Sequence, residues 1–239
     1  MAARRLKLVK VAGVSLLLGF AALLLYQFGL FVMVLMLSVR DPGSSAFMDA
    51  TLSRLQESNP KAALRYQWVP YDKINSSLKR AVIASEDANF TDHEGVEWDA
   101  IRKAWEYNRQ QASDGKNKMR GGSTITQQLA KNLFLSGSRS YWRKGQELVL
   151  TYMIELVMDK ARILELYLNI AQWGGNVFGA EAAAQHYYRV SAAALSPHQA
   201  AQLAAMLPNP AYYDIHRNTT YLRARTSTIL KRMRLVDIP

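Results

Sequence analysis

The feature that most constrains this chain is an uncharged run near its start. Val11 to Val39 is a stretch of 29 residues without Asp, Glu, Lys or Arg. A helix rises about 1.5 Å per residue, so roughly 20 residues cross a hydrocarbon core. The run is long enough to span with tilt or to reach into the headgroups. A cleaved signal peptide has an apolar region of only ~7–15 residues and ends at a small-x-small site. Here the run is about twice that length and no clean site follows, so it predicts a retained transmembrane helix. Arg4, Arg5, Lys7 and Lys10 precede the span with no acidic residue among them. Basic flanks stay on the cytoplasmic side, which predicts an inside N-terminus and a domain outside. No later segment is apolar enough to span again. The nearest, Leu148–Met158, is short and interrupted by Glu155.

About 200 residues follow the span, enough for one substantial core. The reading divides the chain into a basic tail (1–10), the span (11–39), a linker and membrane-proximal segment (40–65) and one domain (66–239). The chain has 30 Lys+Arg against 19 Asp+Glu. Without the four basic residues of the tail, 26 face 19, a net of +7. Such a domain suits anionic lipid, nucleic acid or a phosphorylated substrate. The outside orientation makes nucleic acid the least expected of the three. The absence of cysteine excludes disulfides, thiol catalysis and Cys-ligated metals.

The pattern after a short polar linker (40–46) is mostly helical. Leu78, Val82 and Ile83 predict a helix leading into Ser85–Glu86. Val96–Gln111 reads as another, with Trp98, Ile101, Ala104 and Trp105 on one face. Ala112–Gly122 is a polar, glycine-containing basic loop whose composition predicts mobility, and it is a candidate to close over a substrate. Ser123 or Thr124 is the expected cap of the next helix. Tyr141 to about Asn169 reads as one long helix or two abutting ones. Further helices are expected over Val177–Tyr188, Pro197–Met206 and Thr219–Met233, with Pro208 and Pro210 marking a break. Tyr66–Val69 is the best strand candidate.

Four segments carry more charge, glycine and amide than helix packing requires. Glu86 to Gly95 (EDANFTDHEG) sets four acids and a histidine at the end of an apolar helix. An acid in an apolar cleft can be tuned toward general-base duty, although charge alone favours a solvated acidic turn. Gly121 to Asn132 (GGSTITQQLAKN) opens a helix with two glycines, an arrangement suited to an anion. It lacks the spacing of a nucleotide P-loop and also fits a plain capped helix. Arg139 is followed by Arg143-Lys144-Gly145-Gln146-Glu147, which puts Arg143 and Lys144 on one helical face with Glu147. That face suits phosphate, or an exposed ion pair worth ~0–1 kcal/mol. Lys160 to Asn169, followed by Gly174-Gly175, has the apolar spacing of a packed helix and reads as mostly structural.

Together these segments resemble the motifs of the family 51 peptidoglycan glycosyltransferases. Glu-Asp-x-x-Phe-x-x-His-x-Gly matches Glu86 to Gly95. Gly-x-Ser-Thr-Ile-Thr-Gln-Gln-x-x-Lys-Asn matches Gly121 to Asn132 throughout. Arg-Lys-x-x-Glu matches Arg143 to Glu147, and Ile-Leu-Glu-x-Tyr-Leu-Asn matches Ile163 to Asn169. The likeness covers about residues 66–213 and is to the monofunctional branch. The bifunctional class A penicillin-binding proteins add a transpeptidase domain for which this chain has no room. Ser-x-x-Lys occurs at Ser58–Lys61, Ser76–Lys79 and Ser113–Lys116, but no Lys-Thr-Gly accompanies it. Two departures stand out. Glu97 occupies a position where the family often has Asp, and Tyr187-Tyr188-Arg189 stands where Tyr-Phe-Gly is common.

The resemblance implies a mostly α, lysozyme-like, two-lobed glycosyltransferase domain behind one transmembrane helix. It implies polymerisation of lipid II with inversion, the growing strand being the donor on a polyprenyl pyrophosphate. Glu86 would be the general base and Glu147 the second catalytic glutamate. Asp87, Ser123, Thr124, Gln127, Gln128, Lys131, Arg139, Arg143 and Lys144 would bind substrate or pyrophosphate, with His93 and Asn132 as hydrogen-bonded support. No organic cofactor is implied, and no dedicated metal site. A divalent cation, Mg or Mn, is left open. The implied partners are lipid II, the glycan strand and membrane lipid, with room for cell-wall synthesis or division proteins. The implied place is a bacterial inner membrane, with the domain in the periplasm. Two rivals remain at this point: a lytic enzyme of lysozyme type, and a membrane scaffold using its basic face on anionic lipid.

Overall fold

The computed structural model describes residues 2–116, 121–135 and 140–239, with side chains from Lys10 onward. The chain falls into two units, residues 1–40 and 41–239. The first is a single helix, α1 (Ala2–Val39), long and apolar enough to cross a membrane between Lys10 and Leu37.

The second unit begins with α2 (Ala46–Ser58), a helix inside the segment read as linker and membrane-proximal. Then come β1 (Arg65–Tyr66), a short 3-10 turn, α3 (Ser76–Glu86), α4 (Trp98–Ser113) and α5 (Ile125–Phe134). After these run α6 (Tyr141–Val157), α7 (Lys160–Ile170), β2 (Val177–Phe178) and α8 (Ala180–Tyr188). The unit ends with α9 (Pro197–Met206), α10 (Pro210–Ile215) and α11 (Thr220–Arg232).

Side-chain caps set most of the helix starts. Asn75, Ser140, Asp159, Ser196 and Thr219 each accept a backbone N–H two or three residues on, ahead of α3, α6, α7, α9 and α11. Asp159 also breaks the Tyr141–Asn169 stretch into two abutting helices, because a cap residue leaves the helical conformation. The break expected at Pro208 and Pro210 contains α10, with Pro210 at its first turn, where a missing N–H costs nothing.

Seven of the described helices form two packed groups. In one, α9 lies against both α3 and α11. Ala200, Ala201, Ala204 and Ala205 are buried on α9, and such small residues let Leu78 and Val82 of α3 and Leu222 and Ile229 of α11 approach closely. In the other, α5 packs on α6, α7 and α2 through Ile125, Leu129, Leu150, Ile154, Ile163 and Leu164. Burying each such side chain contributes about 1.5–3 kcal/mol.

Strand content is smaller than Tyr66–Val69 suggests. β1 pairs in parallel with β2, Arg65 opposite Val177 and Tyr66 opposite Phe178. Val69 leaves the ladder because the Asn169 side chain takes over its backbone. Asn169 Oδ1 accepts from Val69 N–H, and Nδ2 donates to Val69 O, both at 2.9 Å. The helix expected from Val177 starts at Ala180, since Val177 and Phe178 are in the strand. Gly179 turns the chain at φ 83°, where an added Cβ would lie 2.7 Å from Asn169 O. Arg189 closes α8 in the left-handed conformation at φ 58°. That conformation is the one glycine adopts most readily at a helix end.

Candidate active site

Glu86 is the last residue of α3, and its carboxylate is held on both oxygens. Oε2 accepts from Gln128 Nε2 on α5 at 3.0 Å. Oε1 accepts from the neighbouring Ser85 Oγ at 3.1 Å. Gln128 is fixed in turn, because Tyr167 of α7 donates its hydroxyl to Gln128 Oε1 at 3.1 Å. Burial holds the Tyr167 phenol well above its usual range, with the Glu86 and Asp87 charges adding to the effect. It therefore stays a neutral donor.

Lys131 lies one turn beyond Gln128 on α5. Burial lowers its pKa, Glu147 opposes the shift, Arg143 and Lys144 add to it, and Glu86 opposes it too. Lys131 is thus within electrostatic reach of both glutamates and both neighbouring bases. Glu147 is buried on α6, and Lys144 Nζ donates to its Oε1. Among the described residues neither Lys131 nor Arg143 forms an ion pair, and Arg143 Nε is buried without a hydrogen-bond partner. Both cations are half-buried, and the excess of positive charge on this face suits an anion.

The other half of the motif set turns inward. Asp87 is 5% exposed. Its carboxylate takes His93 Nε2 at 2.9 Å and the Ile125 N–H of α5 at 3.0 Å. His93 Nδ1 accepts from Gly95 N–H at 3.1 Å, so the proton sits on Nε2 and points at Asp87. Thr124, not Ser123, caps α5. Its Oγ1 accepts Gln127 N–H, and Gln127 Oε1 accepts Thr124 N–H, a reciprocal capping box. Thr124 Oγ1 also donates to Gly95 O at 2.6 Å. The anion at this helix N-terminus is therefore the chain's own Asp87. Gly122 is tight for another reason: an added Cβ would lie 3.1 Å from Ile101 Cα of α4.

The structure thus brings Glu86, Gln128, Lys131, Arg143, Lys144 and Glu147 together. It gives Asp87, Thr124 and Gln127, grouped with them by motif, a buried structural setting instead. Ser123 is exposed. Asn132 is buried but makes no side-chain hydrogen bond among the described residues, unlike the support expected of it. Arg139 and residues 117–120 of the Ala112–Gly122 loop lie outside the described residues; 112–113 of that loop belong to α4.

Sequence reasoning missed three members of the site. Ser85 and Arg225 give no local signal; Arg225 comes from α11, 139 positions beyond Glu86 in the chain. Tyr167 lay in a segment read as packing. A second buried network was signalled by the acid interrupting Leu148–Met158. Glu155 Oε1 accepts from Thr126 Oγ1 at 2.6 Å and Lys160 Nζ at 2.8 Å, and Lys160 Nζ reaches His93 O at 2.6 Å.

Among the described residues, the one group with metal-ligand spacing is already engaged in hydrogen bonds. Asp87, His93 and Glu97 bring ligand atoms within 4.8 Å of one another. His93 Nε2–H already donates to Asp87, and its Nδ1 is occupied by Gly95. Glu97 accepts from Asn89 Nδ2 at 2.8 Å. Around Glu147 the near charges include Lys131, Arg143 and Lys144, which repel a cation.

The architecture is the mostly α, lysozyme-like one, with a carboxylate held at the end of α3 and Lys131 of α5 within electrostatic reach of it. The transglycosylase family model matches residues 52–234, and the chain belongs to that family. Among relatives, it is 66% identical over 237 residues to the biosynthetic peptidoglycan transglycosylase of Bordetella pertussis (strain Tohama I), covering 99% of this chain and 98% of the relative. It is 69% identical over 216 residues to the protein of that name in Bordetella avium, 90% of each. The Laribacter hongkongensis protein of that name is 54% identical over 229 residues, 96% of this chain and 98% of the relative.

Proposed function

We propose that this chain polymerises lipid II into glycan strands, by inverting transfer of the lipid-pyrophosphate-linked strand to the GlcNAc 4-hydroxyl. The observation that carries the reading is the pairing of a doubly held carboxylate, Glu86, with cations at Lys131 and Arg143 that form no ion pair among the described residues. A hydrolase of neutral glycans has no pyrophosphate for such cations, and a lipid-binding scaffold has no use for the held carboxylate.

In the proposed step, Glu86 takes the proton of the acceptor 4-hydroxyl as its oxygen attacks MurNAc C1. The C1–O bond to pyrophosphate breaks, the α linkage becomes β, and polyprenyl diphosphate departs. Pyrophosphate leaves readily, so the transition state gains most from positive charge at the phosphates. Lys131, Arg143 and Lys144 supply it, and Glu147 orients Lys144. Asp87 acts from behind, tying the end of α3 to the start of α5 and so setting Glu86 against Gln128. The chain transfers glycan without transpeptidation.

The substrates' polyprenyl tails place the chemistry at a bilayer surface. The proposed arrangement is an inner-membrane span with the N-terminus cytoplasmic and the domain periplasmic. Exposed Trp98 and Trp105 on α4 and Tyr141 and Trp142 on α6 support an interfacial seat, where such side chains are favoured. Removing residues 1–39 is then expected to weaken activity on bilayer-embedded lipid II more than on detergent-dispersed substrate. Equal loss in both would give the span a role in folding or partnering instead.

The central test is labelled lipid II polymerisation by wild type and Glu86→Gln. A general base contributes ~10²–10⁴-fold, so the variant is expected to lose at least about 100-fold while melting normally. Undiminished polymer from Glu86→Gln would sink the base assignment. Degradation of finished glycan by wild type would favour a lytic enzyme.

A further inference from the structure

Resting on Glu86 as base, we propose that Arg225 is a positioning residue for the reaction: from α11, acting through Ser85, it fixes the Glu86 carboxylate and keeps positive charge beside it. Arg225 Nη2 donates to Ser85 Oγ at 3.0 Å. A guanidinium has no acceptor, so the direction of that bond is settled. Ser85 must then send its own hydrogen onward. The acceptors within reach are Glu86 Oε1 at 3.1 Å and Ala204 O of α9 at 3.3 Å. The same Nη2 lies 3.8 Å from Glu86 Oε1, too far to bond but close enough to act as charge.

The arrangement is not that of a simple ion pair. A stability-driven Arg–carboxylate contact favours two parallel short bonds. Here the guanidinium faces the serine, its Nε is buried without a partner, and Glu86 is the carboxylate it pairs with among the described residues. The result is a relay, Arg225 to Ser85 to Glu86, matching the Tyr167–Gln128 relay on the other oxygen. The charged or titratable groups facing Glu86 are Arg225 on α11, Lys131 on α5, Tyr167 on α7 and the adjacent Asp87. Of these, Arg225 alone acts on Oε1 through the hydrogen that Ser85 donates to it.

A nearby positive charge favours the ionised carboxylate, which is the form a base needs. The test is the pH dependence of polymerisation by the full chain in detergent, with a thermal melt of each variant. Arg225→Gln is expected to move the acid limb of kcat upward in pH, with about tenfold loss on that limb. KM should change less than about twofold, since KM-only losses mark uniform binding. Arg225→Lys is expected to restore most of the limb's position by restoring the charge. Ser85→Ala should shift the limb the same way by less. The double variant should be no worse than Arg225→Gln, because the two act in series.

An unmoved limb in a normally melting Arg225→Gln overturns the proposal, as do a loss confined to KM and additive losses in the double variant. If Arg225→Gln does not fold, Ser85→Ala decides, and an unmoved limb there has the same consequence. Glu86→Gln run alongside separates the two readings. If it is inactive while Arg225→Gln keeps the wild-type limb, only Arg225's role fails. If it is active, the base assignment fails and takes this proposal with it.

Discussion

The two ends of α5 face opposite demands. At its N-terminus the buried polar side chains have protein partners: Thr124 and Gln127 cap each other, Asp87 takes the Ile125 N–H and His93, and Thr124 reaches Gly95. One turn on, Gln128 steadies Glu86, and half-buried Lys131 sits among charges without forming an ion pair among the described residues. A satisfied buried network rigidifies a fold, whereas an unsatisfied one marks a place kept for a ligand. The same twelve-residue motif, Gly121 to Asn132, thus serves both purposes.

Substitutions on the open side should harm activity and spare the fold. Lys131→Met and Arg143→Met are expected to lower kcat by about 10²–10³-fold, the scale of losing one charge-stabilising donor. Circular dichroism melts should stay near wild type. A large fall in melting temperature with activity per folded molecule intact would reverse the assignment of this face.

On the closed side the ranking inverts. Asp87→Asn gives the buried pocket an amide where two donors point, and should cost about 1.5–3 kcal/mol. At about 2–4 °C per kcal/mol for a domain of this size, that is a fall of roughly 3–12 °C in Tm. Gly95→Ala should cost about 1–3 kcal/mol. Gly95 sits at φ 83°, and an added Cβ would lie 2.7 Å from Glu155 Cγ and 2.8 Å from Thr151 Cγ2. Thr124→Ala should cost about 1 kcal/mol as a lost cap. Urea melts of the three, compared with their activity per folded molecule, test whether this end is structural.

This split explains how far the sequence could be read. The helices around Leu78–Glu86, Pro197–Met206 and Thr219–Met233 were legible because apolar spacing and caps act locally. The motif residues were legible as a set, but not their division between scaffold and site. Asp87 and Glu86 are adjacent acids with no local difference; only the approach of α5 turns one inward. Nor does any pattern at 225 reveal that α11 brings an arginine to Ser85, because that contact depends on how α9 seats α11 beside α3. The Tyr66–Val69 strand was overestimated because nothing nearby in sequence shows that Asn169 supplies Val69's partner.

The smallest expected effect sharpens the comparison most. Burial lowers the Lys131 pKa from its ordinary 10.5, so the folded protein holds this charge at a penalty. Lys131→Met removes the penalty, and at neutral pH should raise Tm slightly as polymerisation falls. The sign with pH is fixed. Below the lowered folded pKa both states carry the proton, and the penalty is complete. Between that pKa and the unfolded one, the unfolded chain binds more protons, so wild-type stability rises with pH. The advantage of the methionine variant should therefore shrink as pH climbs toward 10.5, while the alkaline limb of wild-type activity falls below the usual lysine range. A gap that widened with pH would place Lys131 in a favourable ion pair, and with it on the satisfied side of α5.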